Sequence, residues 1–339
     1  MKRATRVPLL CVILLLSISL HPILKGCATF ALSPTYRMRE KEGLGRHSDP
    51  GHFRSPVNSS VEIELATEEK ELASHLKIAG DGEPGQWQKV YAKYMGSNTI
   101  VLNAAMQAAL KQRDFKEGLK IFENIREKTR PTCTIAMKLF GKLGQLDKVE
   151  ELWTELDQVD QVAAQARIDA SADNGDAEGA MQVLDYMHQI GLEANFLHFS
   201  SAINACANAK GADFAKSAQG LVDTMVARGV QRNIITYTNL LRALRQEPKQ
   251  QLLSLLVEME SQNIGPDTLF AQSFLFILLK KPPKSCWDNI KDIAAHLKTQ
   301  SVADLQAAKD SLDHMRDAKV RLNKSCKLID AALQRVLSD

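Results

Sequence analysis

Apolar residues along much of this chain return every three or four positions. Val149, Leu152, Trp153 and Leu156 stand at i, i+3, i+4 and i+7, and the same spacing recurs in Ala180/Val183/Leu184/Met187, Phe199/Ala202/Ile203/Cys206 and Tyr237/Leu240/Leu241/Leu244. Each set forms one buried stripe of an amphipathic helix, and none alternates with the period of two that marks a half-buried strand. Short polar breaks divide the stripes: Gln112-Arg113-Asp114, Gly144-Gln145, Asn174-Gly175-Asp176 and Lys210-Gly211-Ala212-Asp213. A Gly or Asn there closes one helix in a left-handed cap, and an Asp opens the next.

The stripes themselves repeat. The last apolar anchor of each second helix is Ile125, Leu156, Met187, Met225 and Met259, in steps of 31, 31, 38 and 34 residues. Most are followed by a polar ending: Thr129-Arg130-Pro131-Thr132, Gly191-Leu192-Glu193-Ala194-Asn195, Gly229-Val230-Gln231-Arg232-Asn233 and Ile264-Gly265-Pro266-Asp267. Two helices in about 34 residues describe a solenoid of helical hairpins, each needing its neighbours to bury its faces. The spacing predicts units at 99–132, 133–160, 161–195, 196–233 and 234–267, with a partial sixth over 268–281. Residues 61–98 are expected to be a helical flank. Residues 285–339, with Ile290, Ile293, Ala294 and Leu297 and then Leu328, Ile329, Leu333 and Val336 at helical spacing, are expected to be a terminal cap.

The unit Ile234-Ile235-Thr236-Tyr237-Thr238-Asn239-Leu240-Leu241-Arg242-Ala243-Leu244, closing with Glu258-Met259 and Gly265-Pro266-Asp267, resembles the pentatricopeptide repeat family in its opening and its ending. Tetratricopeptide repeats share the period but place Trp, Leu-Gly and Tyr in the first helix, and these units do not. The resemblance implies an all-α, right-handed superhelical solenoid of helix-turn-helix repeats (an alpha-alpha superhelix). It also implies binding of single-stranded RNA, one base per repeat, by side chains on the concave face. In that family the second residue of a repeat wedges against a base, while the fifth and last contact the base edge. By resemblance, the stacking residues are Ile100, Val162, Leu197, Ile235 and Leu269. The base-reading pairs are Asn103 with Thr132, Gln165 with Asn195, Ser200 with Asn233, and Thr238 with Asp267. The last two pairs would favour adenine and guanine. The residues alone leave both roles open, because a hydrophobe at a helix start also packs on its own first turn and Asn or Asp there is also an ordinary cap.

Composition fits this class. Of 339 residues 45% are hydrophobic, 24% charged and only 6% aromatic, and 43 basic against 40 acidic residues give a net charge of +3. That balance excludes a wholly disordered or collagen-like chain. The charge is uneven: residues 133–195 hold 4 basic and 12 acidic side chains. Such a block would repel a phosphate backbone unless it faces away. Arg126, Lys128, Arg130, Arg228, Arg232, Arg242 and Arg245 are the candidate phosphate contacts, or else solvated faces.

Catalytic chemistry finds little support. The eight His form no H-x-x-x-H or H-E-x-x-H, and there is no glycine-rich phosphate loop and no G-x-S-x-G elbow. Cys133, Cys206, Cys286 and Cys326 are far apart, without the spacing of a zinc site or a disulfide framework. The expectation is a non-catalytic protein without cofactor or metal, acting in processing, stability or translation of an organellar transcript. A helical-repeat scaffold that binds protein is the alternative.

At the start of the chain, Lys2, Arg3 and Arg6 precede an apolar run from Val7 to Leu20. That run is shorter than the roughly 20 residues of a membrane span and fits a signal peptide over residues 1–29. Residues 30–60 carry Arg37, Arg39, Arg46 and Arg54 among Ser, Pro and Gly. Together the two segments resemble the bipartite leaders of algae with complex plastids, in which Phe30 of Ala28-Thr29-Phe30-Ala31-Leu32-Ser33-Pro34 would sit just past the cleavage point. The expectations are a plastid (chloroplast) destination, with mitochondrion or secretory pathway as alternatives, no stable membrane span after cleavage, and an organellar protein partner beside the RNA.

Overall fold

A computed structural model describes residues 67–210 and 214–338; the leader and transit-like segments, and the first residues of the 61–98 flank, lie outside the described residues. The described residues form sixteen α-helices and no strand. Six pairs come first: α1 (Thr67–Gly80) and α2 (Gln86–Tyr91), α3 (Thr99–Lys111) and α4 (Phe115–Asn124), α5 (Arg130–Lys142) and α6 (Leu146–Thr154), α7 (Gln161–Asn174) and α8 (Ala177–Gln189), α9 (Phe196–Asn208) and α10 (Phe214–Ala227), α11 (Ile234–Ala243) and α12 (Lys249–Ser261). Then come α13 (Thr268–Leu278), a 3-10 turn (Lys284–Cys286), α14 (Ile290–Leu297), α15 (Val302–Asp317) and α16 (Lys324–Ser338). The all-α hairpin solenoid expected from the spacing is what the described residues form.

Sequence chemistry sets the helix ends. The side chains of Asn98, Asp160, Asn195, Asn233 and Asp267 each accept a backbone N–H in the first turn of α3, α7, α9, α11 and α13. Each thereby satisfies a donor that the helix start leaves unpaired. Thr129 holds the same place before α5, with Pro131 in the first turn, where proline's missing N–H costs nothing. The second hairpin therefore begins at Arg130. The expected boundary after Thr132 is displaced by three residues.

First helices stack on first helices in the order α1, α3, α5, α7, α9, α11, α13, and the second helices pack behind them. Small residues permit the close stacking. Ala104, Ala105, Ala108 and Ala109 on α3, Ala163, Ala166 and Ala170 on α7, and Ala202 and Ala205 on α9 are all buried. A Cβ on Gly141 of α5 would fall 2.6 Å from the Cβ of Ala170. Three of the four predicted stripes are wholly buried in the core: Ala180, Val183, Leu184 and Met187; Phe199, Ala202, Ile203 and Cys206; and Tyr237, Leu240, Leu241 and Leu244. Of the fourth, Val149 and Leu152 are buried while Trp153 and Leu156 are half-buried.

The described part of the flank, residues 67–98, packs as a hairpin through α1 against α3. The expected terminal cap is three helices, of which α15 packs on α13 and α16 packs on α13, α14 and α15. No helix among the described residues is long and apolar enough to cross a membrane.

Candidate nucleic-acid interface

The row of first helices presents its N-terminal tips side by side. The second residue of each hairpin is solvent-exposed: Ile100 46%, Val162 61%, Leu197 48%, Ile235 51% and Leu269 59%. A hydrophobe stapled to its own helix would be covered. These instead form a series of apolar side chains at one structural position, open to a ligand. Pro131 is exposed at the same position of the second hairpin.

The fifth residues are less open. Ser200 and Thr238 are buried, Ser200 beside the Thr236 hydroxyl at 3.2 Å and Thr238 donating to the Ile234 carbonyl at 2.8 Å. Gln165 is half-buried and its amide donates to Asp169 at 2.6 Å and Ser201 at 2.9 Å. Asn103 is half-buried, with an Oδ1 that is shielded from solvent and has no hydrogen-bond partner among the described residues.

Among the last residues, Asn195, Asn233 and Asp267 are helix caps, accepting from His198 and Leu197, Thr236 and Phe270 respectively. A capping Asn uses its carbonyl oxygen and keeps its NH2 group for another partner. Thr132 does not belong with them. It is the third residue of α5, fully buried, its hydroxyl 2.9 Å from that of Thr129. Thr129, not Thr132, ends the first hairpin.

The corrected register exposes residues that the sequence spacing missed. In the second hairpin the fifth residue is Thr134 and the last is Asp160. Both line a groove pocket of about 540 Å³ with Arg130, Pro131, Val162, Gln107 and Lys138. One pocket thus gathers the second residues of two successive hairpins, a fifth and a last residue. Thr134 is buried, as Ser200 and Thr238 are, and like Thr238 it donates to the carbonyl four residues back, that of Arg130 at 2.9 Å. Burial opposes ionisation of Asp160, but hydrogen bonds from the Ala163 N–H and the Arg130 guanidinium outweigh it and hold the carboxyl below its ordinary range. The sequence signal was Pro131, a residue at home in a first helical turn.

A second pocket, about 690 Å³, shares Leu110, Lys111 and Lys138 with the first and adds Arg113, Lys142, Asp169, Asp173, Ser201 and Asn204. The two form a trough along α3, α5, α7 and α9. Lys142 is paired with Asp173 at 2.8 Å and Lys111 with Asp81 at 2.7 Å. Lys138, common to both pockets, has no ion pair among the described residues. The acidic block turns out to be mostly elsewhere. Asp147, Glu150 and Glu151 lie on α6, Glu178 and Asp185 on α8, and Glu155, Asp157, Asp176 and Glu193 in the segments flanking these second helices.

Several candidate phosphate contacts hold the fold instead. Arg232 pairs with Glu258, Arg242 donates to Asn204 and Asn208 at 2.7 Å each, and Arg245 donates to the Ala207 and Ala209 carbonyls.

Stacked hairpins with a trough along their first helices define an α-helical repeat solenoid. A pentatricopeptide repeat domain model matches residues 158–209 and 220–275, and a PPR repeat model matches 131–158. Over residues 131–209 and 220–275 the chain is therefore similar to pentatricopeptide repeats. The pentatricopeptide repeat-containing protein At1g34160 of Arabidopsis thaliana is 24% identical over 139 residues, 41% of this chain and 23% of that protein. Two crystal structures of the pentatricopeptide repeat protein PPR10 in complex with an 18-nt psaJ RNA element match with a TM-score of 0.56 and 13% identity, over 82% of this chain and 44% of theirs. The chain thus spans less than half the length of the proteins it matches.

Proposed function

We propose that this chain is a single-stranded RNA-binding repeat protein that holds consecutive bases along the trough of its first helices. The row of exposed Ile100, Pro131, Val162, Leu197, Ile235 and Leu269, one per hairpin, carries this reading. Apolar faces spaced along a groove with polar residues beside them suit unstacked bases. The similarity to PPR10 bound to RNA supports the same ligand. In the pocket of the second hairpin, Thr134 and Asp160 repeat the residue types of Thr238 and Asp267. By the resemblance stated above, guanine is the base for both.

The role is non-catalytic, in processing, stability or translation of an organellar transcript. The plastid is its destination, reached through the leader of residues 1–60, with the mitochondrion or the secretory pathway as the alternative. A protein-binding scaffold is the second reading, favoured by the burial of Ser200 and Thr238. Binding of the full chain to random single-stranded RNA at rising salt separates the two. Retention at low salt that falls steeply as salt is added is the expected result. No retention at low salt removes RNA as the ligand.

A further inference from the structure

The hairpin pattern continues past residue 267, beyond the last predicted full unit. Met187, Met225 and Met259 each open the same ending. Four residues on stands a left-handed residue, Gly191 at φ 72°, Gly229 at 71° or Asn263 at 55°. Five residues on, the N–H of Leu192, Val230 or Ile264 returns to the Met carbonyl at 2.8, 2.9 and 2.9 Å. Eight residues on is the capping Asn195, Asn233 or Asp267. Met315 opens it a fourth time: Lys319 has φ 59°, Val320 N–H reaches the Met315 carbonyl at 2.9 Å, and Asn323 accepts from Cys326 N–H at 2.9 Å at the start of α16.

The start of this unit is also identifiable. Gln161, first in its hairpin, donates to the Glu193 carbonyl, two residues before the last, at 3.3 Å. Thr268 donates to the Arg321 carbonyl, two before Asn323, at 2.5 Å. The second helices α12 and α15 are joined by Lys249–Asp304 at 2.5 Å and by Glu260 with His314. Residues 268–323 are therefore one hairpin, α13 with α15, and the segment between them, with α14, is an insertion.

We propose that this sixth hairpin forms one more nucleobase slot, made by Leu269, Gln272 and Asn323; the proposal rests on the RNA-binding reading above. Leu269 offers its exposed face. Gln272 is the fifth residue and half-buried, and its amide has no hydrogen-bond partner among the described residues. Gln165 at the same place is held by Asp169 and Ser201. The corresponding residues of the sixth hairpin and of α16 are Phe276 and Ile329, whose side chains cannot hydrogen-bond, so Gln272 keeps a donor and an acceptor side by side for a base edge. Asn323 spends its carbonyl on the cap and retains its NH2 group. Ser325 stands where the next apolar wall would be, so the base stacks on Leu269 alone and the slot is terminal. Lys280, thirteenth from the hairpin start as Lys111 and Lys142 are in theirs, supplies positive charge at the far end of α13.

The test is selection of RNA from a pool of single strands with a randomised window, using the full chain, followed by the Gln272→Ala and Asn323→Ser variants. Serine keeps the cap while removing the amide. Both variants are expected to erase base preference at one terminal position of the motif and to weaken the selected RNA about tenfold, leaving the other positions intact. A motif unchanged in both variants, with unchanged affinity, overturns the sixth slot while the RNA reading stands. No enriched position with the unsubstituted chain overturns both. Should Asn323→Ser unfold α16 by circular dichroism, Gln272→Ala decides alone, since its amide holds nothing in place.

Discussion

Arg130 and Asp160, the first and last residues of the second hairpin, meet at the groove pocket with Nη1 3.0 Å from Oδ2. The same carboxylate caps α7 through Ala163 N–H at 2.8 Å. One side chain thus closes its own hairpin, starts the next and faces the trough. Because its folded pKa is depressed, its contribution to stability is present above the ordinary 3.8 and is lost as pH falls through the lower folded value. Asp160→Asn, which can still cap, is expected to flatten the acid limb of a melting-temperature profile below about pH 4. An unaltered limb removes this pair as its source.

His198 answers at milder acidity. It is buried, with Nε2–H donating to the Gln161 carbonyl at 3.0 Å and Nδ1 accepting from Asn195 N–H at 3.2 Å. Burial pushes the imidazole below its ordinary 6.5, against the opposing hydrogen bond to Gln161 and the Asp169 charge. The unfolded chain therefore takes up the proton first, and stability falls as pH drops below 6.5 toward the folded value. His198→Gln is expected to lose about 1 kcal/mol at neutral pH, as a weakened cap does, and to remove that slope from denaturation curves.

Gly141 against Ala170 sets the separation of α5 and α7. In Gly141→Ala the new Cβ meets backbone, 2.8 Å from the Ala170 Cα, which cannot swing aside. The expected cost is about 1–3 kcal/mol in urea unfolding, the scale of overpacking. A change within a few tenths would mean the two helices part freely.

The exposed row separates binding from folding. Leu197→Ser and Ile235→Ser are expected to shift stability by less than about 0.5 kcal/mol, as surface changes do. Each is also expected to weaken RNA binding about fivefold, a loss of about 1 kcal/mol of stacking. Equal affinity in filter binding would take these residues out of the interface.

Lys138 stands between both pockets without an ion pair among the described residues. Lys138→Ala is expected to reduce the slope of log affinity against log salt by about 0.7, the loss of one phosphate contact to a single strand. A parallel salt dependence places the phosphates elsewhere.

The stripes ending in Met187, Met225 and Met259 are legible because one face of each helix must be apolar and no other pattern fits. The second hairpin was not, because Thr129-Arg130-Pro131-Thr132 offers two threonines as the last residue. The choice depends on Pro131, which reads either as the end of a turn or as the opening of a helix. The sixth hairpin hid for a different reason. Its ending from Met315 to Asn323 matches the others, but the inserted segment carries that ending out of step with the period. Burial of Ser200 and Thr238 was not legible, since a small polar residue fits a groove and a tight helix contact equally well. Nor was the placement of the acidic residues on second helices and their loops, which charge counted along the chain cannot resolve.

The alanine- and glycine-lined contact between neighbouring first helices has a consequence for whatever lies across them. Packed helices stand about 8–10 Å apart, whereas stacked bases rise by about 3.4 Å. A strand that places one base on each tip must be drawn out to more than twice its natural rise, with adjoining rings parted. Such a track has no room for a paired stem, so, on the RNA-binding reading proposed above, occupancy would compete directly with hairpin formation in the bound RNA.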